Sequence, residues 1–456
     1  MKVMKFGGSN LLSGEDFRRV AEIIKNESDT KIVVLSGVNG VTDTLQNYLS
    51  KKKYAEKSIK KLIKKLEEIH IKIVKESIKN EKILKGLEKE IQLKLRRLEK
   101  LLRGVLYLEE LSAKSKDLIL SFGERLSVLI MTNTLKDINV NSVGLESDDI
   151  GFITDGNYGN ASAILSKVET NLKKQIDIIL KDGQIPIITG FFGCNKNGDT
   201  TIFGRNGSDY SAAVIGYAIN ADVVEIWKDV DGFMTVDPDI IKEAKTIKNL
   251  SYEEVAELSY FGARILHPRT IDPVSKKQIP ILIKNINKSY GTGTIINGQK
   301  NKLKKPVKSI AFTTDVAYIK IFGSGIGYKP GVLSEIVSHI SSESINIKSV
   351  ITSQTCITLI LDKDHITQSY NILKSKKIST VEDIQKNEKI ALIAIVGQGI
   401  NKKYGVAARV FNSIANQKIN IEMISAGSSN AAYYFIINQN KIKNAIKAIH
   451  NDFFNN

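Results

Sequence analysis

One stretch of the sequence combines residue types suited to binding an anion: GRNGSDYSAA, residues 204–213. Its two glycines permit backbone conformations in which peptide N–H groups surround a negative charge. Ser208 and Asp209 occupy the expected N-cap of the helix that follows, and a helix N-terminus favours an anionic ligand. The guanidinium of Arg205 adds donors that match a carboxylate. The stretch indicates an anion-binding corner between strand and helix, although an ordinary capped loop can have the same composition.

A lysine stands beside a glycine pair near the N-terminus. Residues 2–6 (KVMKF) read as a short buried strand, and Gly7, Gly8 and Ser9 follow it. Lys5 is expected near the carboxyl end of this strand, the edge at which open α/β sheets bind ligands. A surface lysine at a strand end is the alternative, and the adjacent glycines favour the functional interpretation.

Similar units of strand, small residues and helix recur along the first 300 residues. Hydroxyl groups of Ser36 and Thr42 come after the β-branched run of residues 31–35. Glu124 lies in an otherwise apolar helix, where a carboxylate usually has a partner or faces a ligand. These units predict an α/β domain with a mostly parallel sheet sandwiched by helices. The domain offers no metal-ligand cluster and no nucleophile triad.

Basic residues are concentrated in residues 51–103, which contain 19 Lys and Arg against 8 Glu, a net charge of +11 out of +17 for the chain. Apolar residues at helical spacing predict a helical insertion over about 51–115, with a break at Gly86. Tyr54 is the stretch's sole aromatic residue, so a solvated helix face is favoured over a nucleic-acid site.

Composition places the chain among soluble globular proteins, with 42% hydrophobic and 25% charged residues. No apolar run reaches the ~18 residues of a membrane span, and the start lacks a signal-peptide pattern. Cys194 and Cys356 make no disulfide framework. We predict a cytoplasmic protein with neither a membrane nor a nucleic acid as partner.

The C-terminal third contains an internal duplication. Residues 300–309 are basic and contain a proline, which is typical of a linker. Residues 316–361 and 390–437 then repeat the order strand, helix, strand, strand, and each half carries an Asn-Ile pair. The duplication predicts an α+β pair of small-molecule-sensing modules.

Seven motifs in order resemble the aspartate kinases of the amino-acid kinase fold, over essentially the whole chain. These motifs are KFGGS (5–9), VVLSGVNGVT (33–42), SFGERLS (121–127), TGFFG (189–193), GRNGSDYSAA (204–213), EIWKDVDG (225–232) and ELSYFGARILHPRT (257–270). The resemblance implies a catalytic domain over 1–300, a linker over 301–309, and two ACT modules over 310–380 and 381–456, with interleaving of the modules left open. The helical insertion is similar to that of archaeal members.

The resemblance also implies a reaction and the residues that perform it. ATP, with Mg²⁺ on the nucleotide, would phosphorylate the β-carboxylate of L-aspartate in the first step of lysine, threonine and methionine biosynthesis. Lys5 and Asp209 would be catalytic, with Asp209 orienting the lysine. The nucleotide would contact Lys5, Phe6, Gly7, Gly8, Ser9, Lys228, Asp229, Met234 and Arg264. Aspartate would contact Ser36, Thr42, Glu124, Phe191, Arg205 and Ser208.

Departures from the family pattern lie on the nucleotide side. The family usually has Ser, Thr, Tyr, Arg and Lys at the positions of Asn10, Lys228, Met234, Asp239 and Arg264, respectively. Asp239 reverses a charge near the expected phosphates, a change unfavourable to an anion unless Lys228 compensates. Nucleotide affinity is therefore the property we expect to differ, since the aspartate side keeps the family's residues.

The ACT modules imply an amino-acid effector and a homodimer or larger assembly. Lys348 stands where lysine-inhibited members can carry an acid, so we predict that lysine is not bound by that contact, while threonine or no inhibition stay open. Two alternative functions also stay open. One is a sister kinase for another amino acid or carboxylate, and the other is a non-catalytic ACT sensor with a decayed nucleotide site.

Overall fold

A computed structural model of the chain describes residues 1–51, 53–263, 265–288, 291, 293–299, 306–376, 378, 380–427 and 429–454. The chain divides into two compact units. Unit 1 comprises Met1–Phe233, Thr246–Val255 and Ile265–Gln299. Unit 2 comprises Met234–Lys245, Ala256–Arg264 and Lys300–Asn456.

The elements of residues 1–299 alternate between strands and helices. The strands are β1 (Lys2–Phe6), β2 (Lys31–Leu35), β3 (Ser142–Leu145), β4 (Ile185–Thr189), β5 (Phe192–Cys194), β6 (Thr200–Ile202), β7 (Val223–Lys228), β8 (Asn249–Ser251), β9 (Ile281–Asn285) and β10 (Thr294–Asn297). The helices are α1 (Gly14–Asn26), α2 (Val41–Leu49), α3 (Glu56–Ser77), α4 (Glu81–Leu108), α5 (Ala113–Leu120), α6 (Phe122–Asp137), α7 (Leu165–Lys181), α8 (Gly207–Ile219), α9 (Tyr252–Tyr260) and α10 (Ile271–Lys276).

Eight strands of unit 1 form one sheet in the order β3-β4-β2-β1-β7-β9-β10-β8. All neighbouring pairs are parallel except β9 with β10. The predicted, mostly parallel α/β sheet is therefore confirmed. Because β4, β2, β1 and β7 are neighbours that point the same way, their carboxyl ends meet at one edge, and the residues that follow them are Gly190, Ser36, Gly7 and Asp229.

The helical insertion is a hairpin, but its break is not at Gly86. Helix α3 ends at Ser77, and α4 begins after Asn80, whose side chain accepts hydrogen bonds from the Lys82 and Ile83 N–H groups. Gly86 lies inside α4, exposed and with no atom near the position of a side chain. The sequence-based prediction was wrong because a capping Asn after an i, i+4 pattern stops one helix and starts the next, whereas a single Gly only weakens a helix.

One helical segment, Ala113–Asp137, is long and apolar enough to cross a membrane by length and composition. In the folded chain, 83% of its 18-residue apolar window is buried inside the protein. The segment covers α5 and α6, and α6 packs against strands of the sheet. Its apolar character is thus accounted for by burial in the core.

Unit 2 contains two small antiparallel sheets with helices. Its elements are β11 (Ser309–Thr313), β12 (Val316–Phe322), α11 (Val332–Ser341), β13 (Ile347–Thr352), β14 (Cys356–Asp362), α12 (Ile366–Ser375), β15 (Asp383–Asn387), β16 (Ile390–Val396), α13 (Val406–Ala415), β17 (Ile421–Ser425), β18 (Ala432–Asn438) and α14 (Ile442–Phe454). The sheet orders are β13-β14-β12-β15 and β11-β16-β18-β17. The first strand after the linker, β11, thus joins the second module's sheet, while β15 joins the first module's.

Candidate active site

A buried carboxylate on α8 holds two lysines that come from neighbouring strands. The Lys5 Nζ lies 2.6 Å from the Asp209 Oδ1, and the Lys228 Nζ lies 3.1 Å from the Oδ2. Lys5 and Asp209 are both buried, whereas the Lys228 side chain is 17% exposed. Strands β1 and β7 are adjacent and in register, with Phe6 opposite Trp227, so the two lysines reach the same sheet edge.

The electrostatics of this trio are set by burial and by its own three charges. Burial lowers the pKa of Lys5, and the Lys228 charge lowers it further, whereas Asp209 raises it. Although burial by itself raises the pKa of Asp209, the charges of Lys5 and Lys228 bring it below its usual value. The carboxylate is therefore ionised, and it is what keeps a cation at the buried position of Lys5.

Asp209 is not the N-cap of its helix. Helix α8 begins at Gly207, and its N-cap is Asn206, which has a left-handed backbone (φ 54°). Ser208 and Asp209 therefore lie inside the first turn, and both are buried. The sequence-based prediction was off by two to three residues because Asn also adopts the left-handed conformation that ends the preceding turn. The shift turns the Asp209 side chain toward β1 and β7, where it pairs with their lysines.

The turn after β1 is tied to the end of β7. The Ser9 hydroxyl donates to Asn10 Oδ1 at 3.1 Å, and the Asn10 side-chain amide donates to the Trp227 carbonyl at 3.3 Å. A side chain on Gly7 would come within 3.4 Å of the Lys5 Nζ. Asn10 thus fixes the glycine turn beside the lysine.

Phe6 has a packing role in this region. Its ring stacks on Trp227 with a centroid distance of 5.6 Å, and its carbonyl accepts the Ser36 N–H. The side chain is fully buried. The assignment of Phe6 to the nucleotide stays a prediction, and its ring offers no accessible surface for it.

Glu124 lies in the first turn of α6, and its side chain reaches the turn that follows β2. Its Oε1 accepts the Gly37 N–H at 2.9 Å, while its buried Oε2 has no hydrogen-bond partner among the residues that the structure describes. Burial raises the pKa of Glu124 to about 8, although the Lys5 charge opposes this shift. A buried acid with one open oxygen is poised to receive a cationic ligand.

Glycines make the approach of Glu124 to β2 possible. A side chain on Gly37 would lie 3.0 Å from the Gly123 carbonyl carbon, and one on Gly123 would lie 3.0 Å from the Thr42 Oγ1. The Ser127 hydroxyl donates to the Ser36 carbonyl at 2.6 Å. Ser36 and Thr42 from one motif and Glu124 from another therefore meet at the carboxyl end of β2.

Phe191 and Ser208 adjoin the carboxyl end of β4. Phe191 has a left-handed backbone (φ 74°), a conformation that costs a non-glycine residue about 1 kcal/mol or more. Its N–H donates to the Ser211 Oγ at 3.0 Å. A side chain on Gly190 would come within 2.6 Å of the Ser208 Cβ. The glycine is thus required for the loop to pass against α8.

Arg205 and Asp229 lie at the same sheet edge, and both are exposed. Among the described residues, neither side chain makes an ion pair or a hydrogen bond. Both side chains are therefore available to a ligand, as expected of Arg205 from its motif.

The remaining nucleotide-side residues belong to unit 2 or lie outside the described residues. Met234 and Asp239 belong to unit 2, where the Met234 carbonyl accepts the Ser309 hydroxyl at 2.8 Å and Asp239 is exposed. Arg264 and residues 301–305 of the predicted linker lie outside the described residues. His267 accepts the Arg269 N–H through its Nδ1 and caps a short 3-10 turn.

An acidic cluster elsewhere in unit 1 is partly paired with cations. The cluster consists of Glu146, Asp148 and Asp149. Arg125 forms ion pairs with Glu146 and Asp148, and Lys94 lies 2.5 Å from Glu146. Glu146 and Asp148 therefore belong to a partly buried ion-pair network, whereas Asp149 is exposed.

Three glycines were missed as parts of the site from the sequence. Gly37, Gly123 and Gly190 each permit a close backbone approach, yet they bear no group that signals chemistry. The available signal was their position, since each follows a strand or opens a helix within a quoted motif.

The site lies at the ends of neighbouring parallel strands. It combines two ammonium groups on one carboxylate, a glycine turn, and a buried acid with one oxygen free of hydrogen bonds among the described residues. These features are typical of an enzyme that transfers a charged group between small molecules. The family model described as the amino acid kinase family matches residues 1–285, and an ACT domain model matches residues 393–453. The chain is 32% identical to Aspartokinase 1, chloroplastic, of Arabidopsis thaliana, over 99% of its length and 80% of the relative's. The chain belongs to the amino acid kinase family and, within it, to the aspartokinases, phosphotransferases with a carboxyl group as acceptor.

Two further similarities extend over the whole chain. A bifunctional aspartokinase/homoserine dehydrogenase of Buchnera aphidicola is also 32% identical, and the chain covers 57% of that longer protein. Aspartokinase III of E. coli, solved with aspartate and ADP, matches all of both chains with a TM-score of 0.86 at 24% identity. The same protein solved with lysine and aspartate matches with a TM-score of 0.82. These structures share the fold of this chain.

Proposed function

We propose that this chain transfers the γ-phosphoryl group of ATP to the β-carboxylate of L-aspartate, and that Lys5 is its catalytic cation. The observation that carries the proposal is the buried Lys5–Asp209 pair, which shares one sheet edge with the open oxygen of Glu124. A cation for the phosphoryl group and an anion for the amino group of the acceptor are the two charges that this reaction requires.

The chemical step needs no general base. The β-carboxylate of aspartate is already ionised at pH 7, so one of its oxygens can attack the γ-phosphorus directly. The bond from phosphorus to the β,γ-bridging oxygen breaks, and its electron pair leaves with ADP. Lys5 stabilises the charge on the transferring group, and positioning supplies most of the remaining rate enhancement.

Aspartate would be held through both of its α-substituents. The ammonium group would meet the Oε2 of Glu124, which is buried and open, and the α-carboxylate would meet the exposed fork of Arg205. Ser36, Thr42, Phe191 and Ser208 would line the space between them. A carboxylate from Glu124 and a guanidinium from Arg205 together favour an α-amino acid over a simple dicarboxylate as the acceptor.

The nucleotide would lie along the glycine turn after β1. Gly7, Gly8 and Ser9 would face its phosphates, while Asp229, Met234 and Arg264 stay predictions from the family pattern. Asp209 has both oxygens paired with lysines and offers no ligand to a metal. Mg²⁺ would therefore be held by phosphate oxygens and water, which suits its reluctance to dehydrate, and would neutralise phosphate charge when bound.

Unit 2 would bind an amino-acid effector. Lys348 pairs with Asp362 at 3.1 Å, and its carbonyl accepts the Tyr260 hydroxyl at 2.8 Å. Asp362 offsets part of the Lys348 charge, but a cationic effector in direct contact with the Lys348 ammonium group would still be repelled, so lysine should not bind by this contact. The proposal also includes a homodimer or larger assembly and a cytoplasmic location, with threonine, lysine at another contact, or no inhibition left open for the effector.

The reaction can be tested by trapping the acyl phosphate with hydroxylamine. Hydroxamate should form only with both ATP and L-aspartate, and Lys5→Ala should abolish it. N-acetyl-L-aspartate, which lacks the ammonium group, should not be phosphorylated, nor should succinate. Adding lysine, threonine or methionine to the same assay tests the effector.

The sharpest control is Lys284→Met. Lys284 lies in the same sheet, at 3.4 Å from the buried Glu225, and should tolerate substitution without loss of activity. Equal rates with L-aspartate and succinate would contradict the assigned acceptor, and activity in Lys5→Ala would contradict the assigned cation. Absence of ATP binding at millimolar nucleotide would indicate a non-catalytic sensor.

A further inference from the structure

The Lys5–Asp209 pair carries no net charge of its own. Its ammonium and carboxylate groups lie 2.6 Å apart in a buried site, so the carboxylate offsets part of the attraction between Lys5 and a bound phosphate. Lys5 therefore stabilises a transferring phosphoryl group, which concentrates negative charge on several oxygens, less than an unpaired cation would. A further positive charge at this edge of the sheet, in addition to Mg²⁺ on the nucleotide, would strengthen that stabilisation.

Lys228 supplies that charge. Its ammonium group lies 3.1 Å from the second oxygen of the same carboxylate, which gives the trio a net charge of +1. Asp209 Oδ2 is its one hydrogen-bond partner among the described residues, whereas an ammonium group has three donors. Two donors thus remain for a ligand.

The position of Lys228 is fixed, and it is more open than that of Lys5. Its carbonyl accepts the Ile286 N–H at 2.8 Å, which anchors the end of β7. Its side chain is 17% exposed, against 6% for Lys5. The ammonium group of Lys5 is therefore buried and that of Lys228 is partly exposed, and the carboxylate of Asp209 holds the two close together.

We propose that Lys228 is a second catalytic cation, which contacts the nucleotide's terminal phosphates while Asp209 holds it beside Lys5. This inference rests on the proposed function and assigns to one residue the charge that the Lys5–Asp209 pair lacks. In the step, the bond between the γ-phosphorus and the β,γ-bridging oxygen breaks. Lys228 stabilises the negative charge that this oxygen gains as ADP leaves, and no proton is transferred.

The test compares Lys228→Met with the matched control Lys284→Met. Both lysines come from strands of the same sheet, their side chains are 17% and 18% exposed, and each pairs with a carboxylate that is 3% exposed or less. Each substitution leaves another lysine on that carboxylate, Lys5 on Asp209 and Lys2 on Glu225. The two variants therefore differ in where the lost charge lies.

Lys228→Met should lower kcat about 10²-fold, and Lys228→Arg should recover part of the loss. Calorimetric Kd values for ATP and AMP provide a second readout that a structural role would not change. The ratio of ATP affinity to AMP affinity should fall about 10-fold in Lys228→Met and stay unchanged in Lys284→Met. KM for aspartate should change little in either variant.

A wild-type kcat and ATP:AMP affinity ratio in Lys228→Met would overturn the assignment of Lys228, with the proposed function untouched. So would equal losses in the two methionine variants. Failure of the wild-type enzyme to phosphorylate aspartate would overturn the proposed function instead. In that case the ATP:AMP affinity ratio would still show whether Lys228 contacts the phosphates of the nucleotide.

Discussion

Lys5 and Asp209 form a buried ion pair of 2.6 Å between the first strand of the sheet and the first turn of α8. Breaking a buried pair by removing one partner typically costs about 3–5 kcal/mol, because the other charge is left uncompensated. The free energy of unfolding of unit 1 therefore depends on the charge of its candidate catalytic lysine.

Asp209→Asn should alter activity in a pH-dependent way. The substitution keeps the shape but removes the largest influence that raises the pKa of Lys5, while burial and Lys228 still lower it. Lys5 should then lose its proton at a lower pH, so kcat should fall by roughly 10²–10³-fold at pH 8 and by less at pH 6. Measuring kcat against pH checks this, and an equal loss at every pH would contradict it.

Aspartate affinity should depend on pH through Glu124. Burial raises the pKa of this acid to about 8, so in the free enzyme it is mostly protonated at pH 7 and must ionise to pair with the substrate's ammonium group. The Kd for aspartate should tighten about 10-fold per pH unit from pH 6 to 7 and level off above pH 8.

Calorimetry in buffers of different ionisation enthalpy can detect the proton released by this binding. Glu124→Gln should bind aspartate roughly 10–100-fold more weakly with no release in this range. Proton release that persists in the glutamine variant would assign the titration to another group.

Arg205→Ala should affect aspartate alone. The side chain is exposed and has no partner among the described residues, so the free energy of unfolding should change by less than about 0.5 kcal/mol. KM for aspartate should rise roughly 10–100-fold, the value of a charged hydrogen bond, with kcat and the Kd for ATP nearly unchanged. Arg205→Lys should recover only part, since it lacks the planar fork.

Arg96, exposed on α4, is the control for this measurement. Arg96→Ala should leave every kinetic constant at its wild-type value. A rise in KM for ATP rather than for aspartate in Arg205→Ala would place this guanidinium on the nucleotide.

The helical hairpin should respond oppositely to changes at its cap and at its glycine. Gly86→Ala should raise the free energy of unfolding by about 0.5–1 kcal/mol, because the residue lies inside α4 with open space around it. Asn80→Ala should lower it by about 1 kcal/mol through loss of the cap. Urea unfolding measures both, and a destabilising Gly86→Ala would indicate a break in α4 at that residue.

Local patterns accounted for much of the fold and of the chemistry. The mostly apolar stretches of residues 2–6 and 31–35 identified β1 and β2, since a strand buried on both faces is rich in hydrophobic residues without strict alternation. Boundaries were harder to predict. The start of α8 at Gly207 and the end of α3 at Ser77 depend on which residue acts as the helix cap. Several neighbouring residues at each place have side chains that could serve as that cap.

The pairing of Lys228 with Asp209 lay beyond local patterns. Their sequence motifs predicted a nucleotide contact and a lysine-orienting acid, but strand order decided that β7 lies beside β1. Strand order depends on long-range packing, which no spacing within a motif encodes. The exchange of β11 and β15 between the modules of unit 2 is another result of such pairing.

The sequence by itself determined the inventory: a lysine before a glycine turn, an acid in an apolar helix, an arginine and an acid in a glycine-rich corner, and a duplicated C-terminal third. Only the tertiary structure decided which of these charged groups lie close enough to interact. Parallel strands bring their carboxyl ends to one edge, and burial there changes the pKa values of Lys5, Glu124 and Asp209. Desolvation and charge pairing depend on distance in space, so residues far apart in the chain acquire their chemistry together only when it folds.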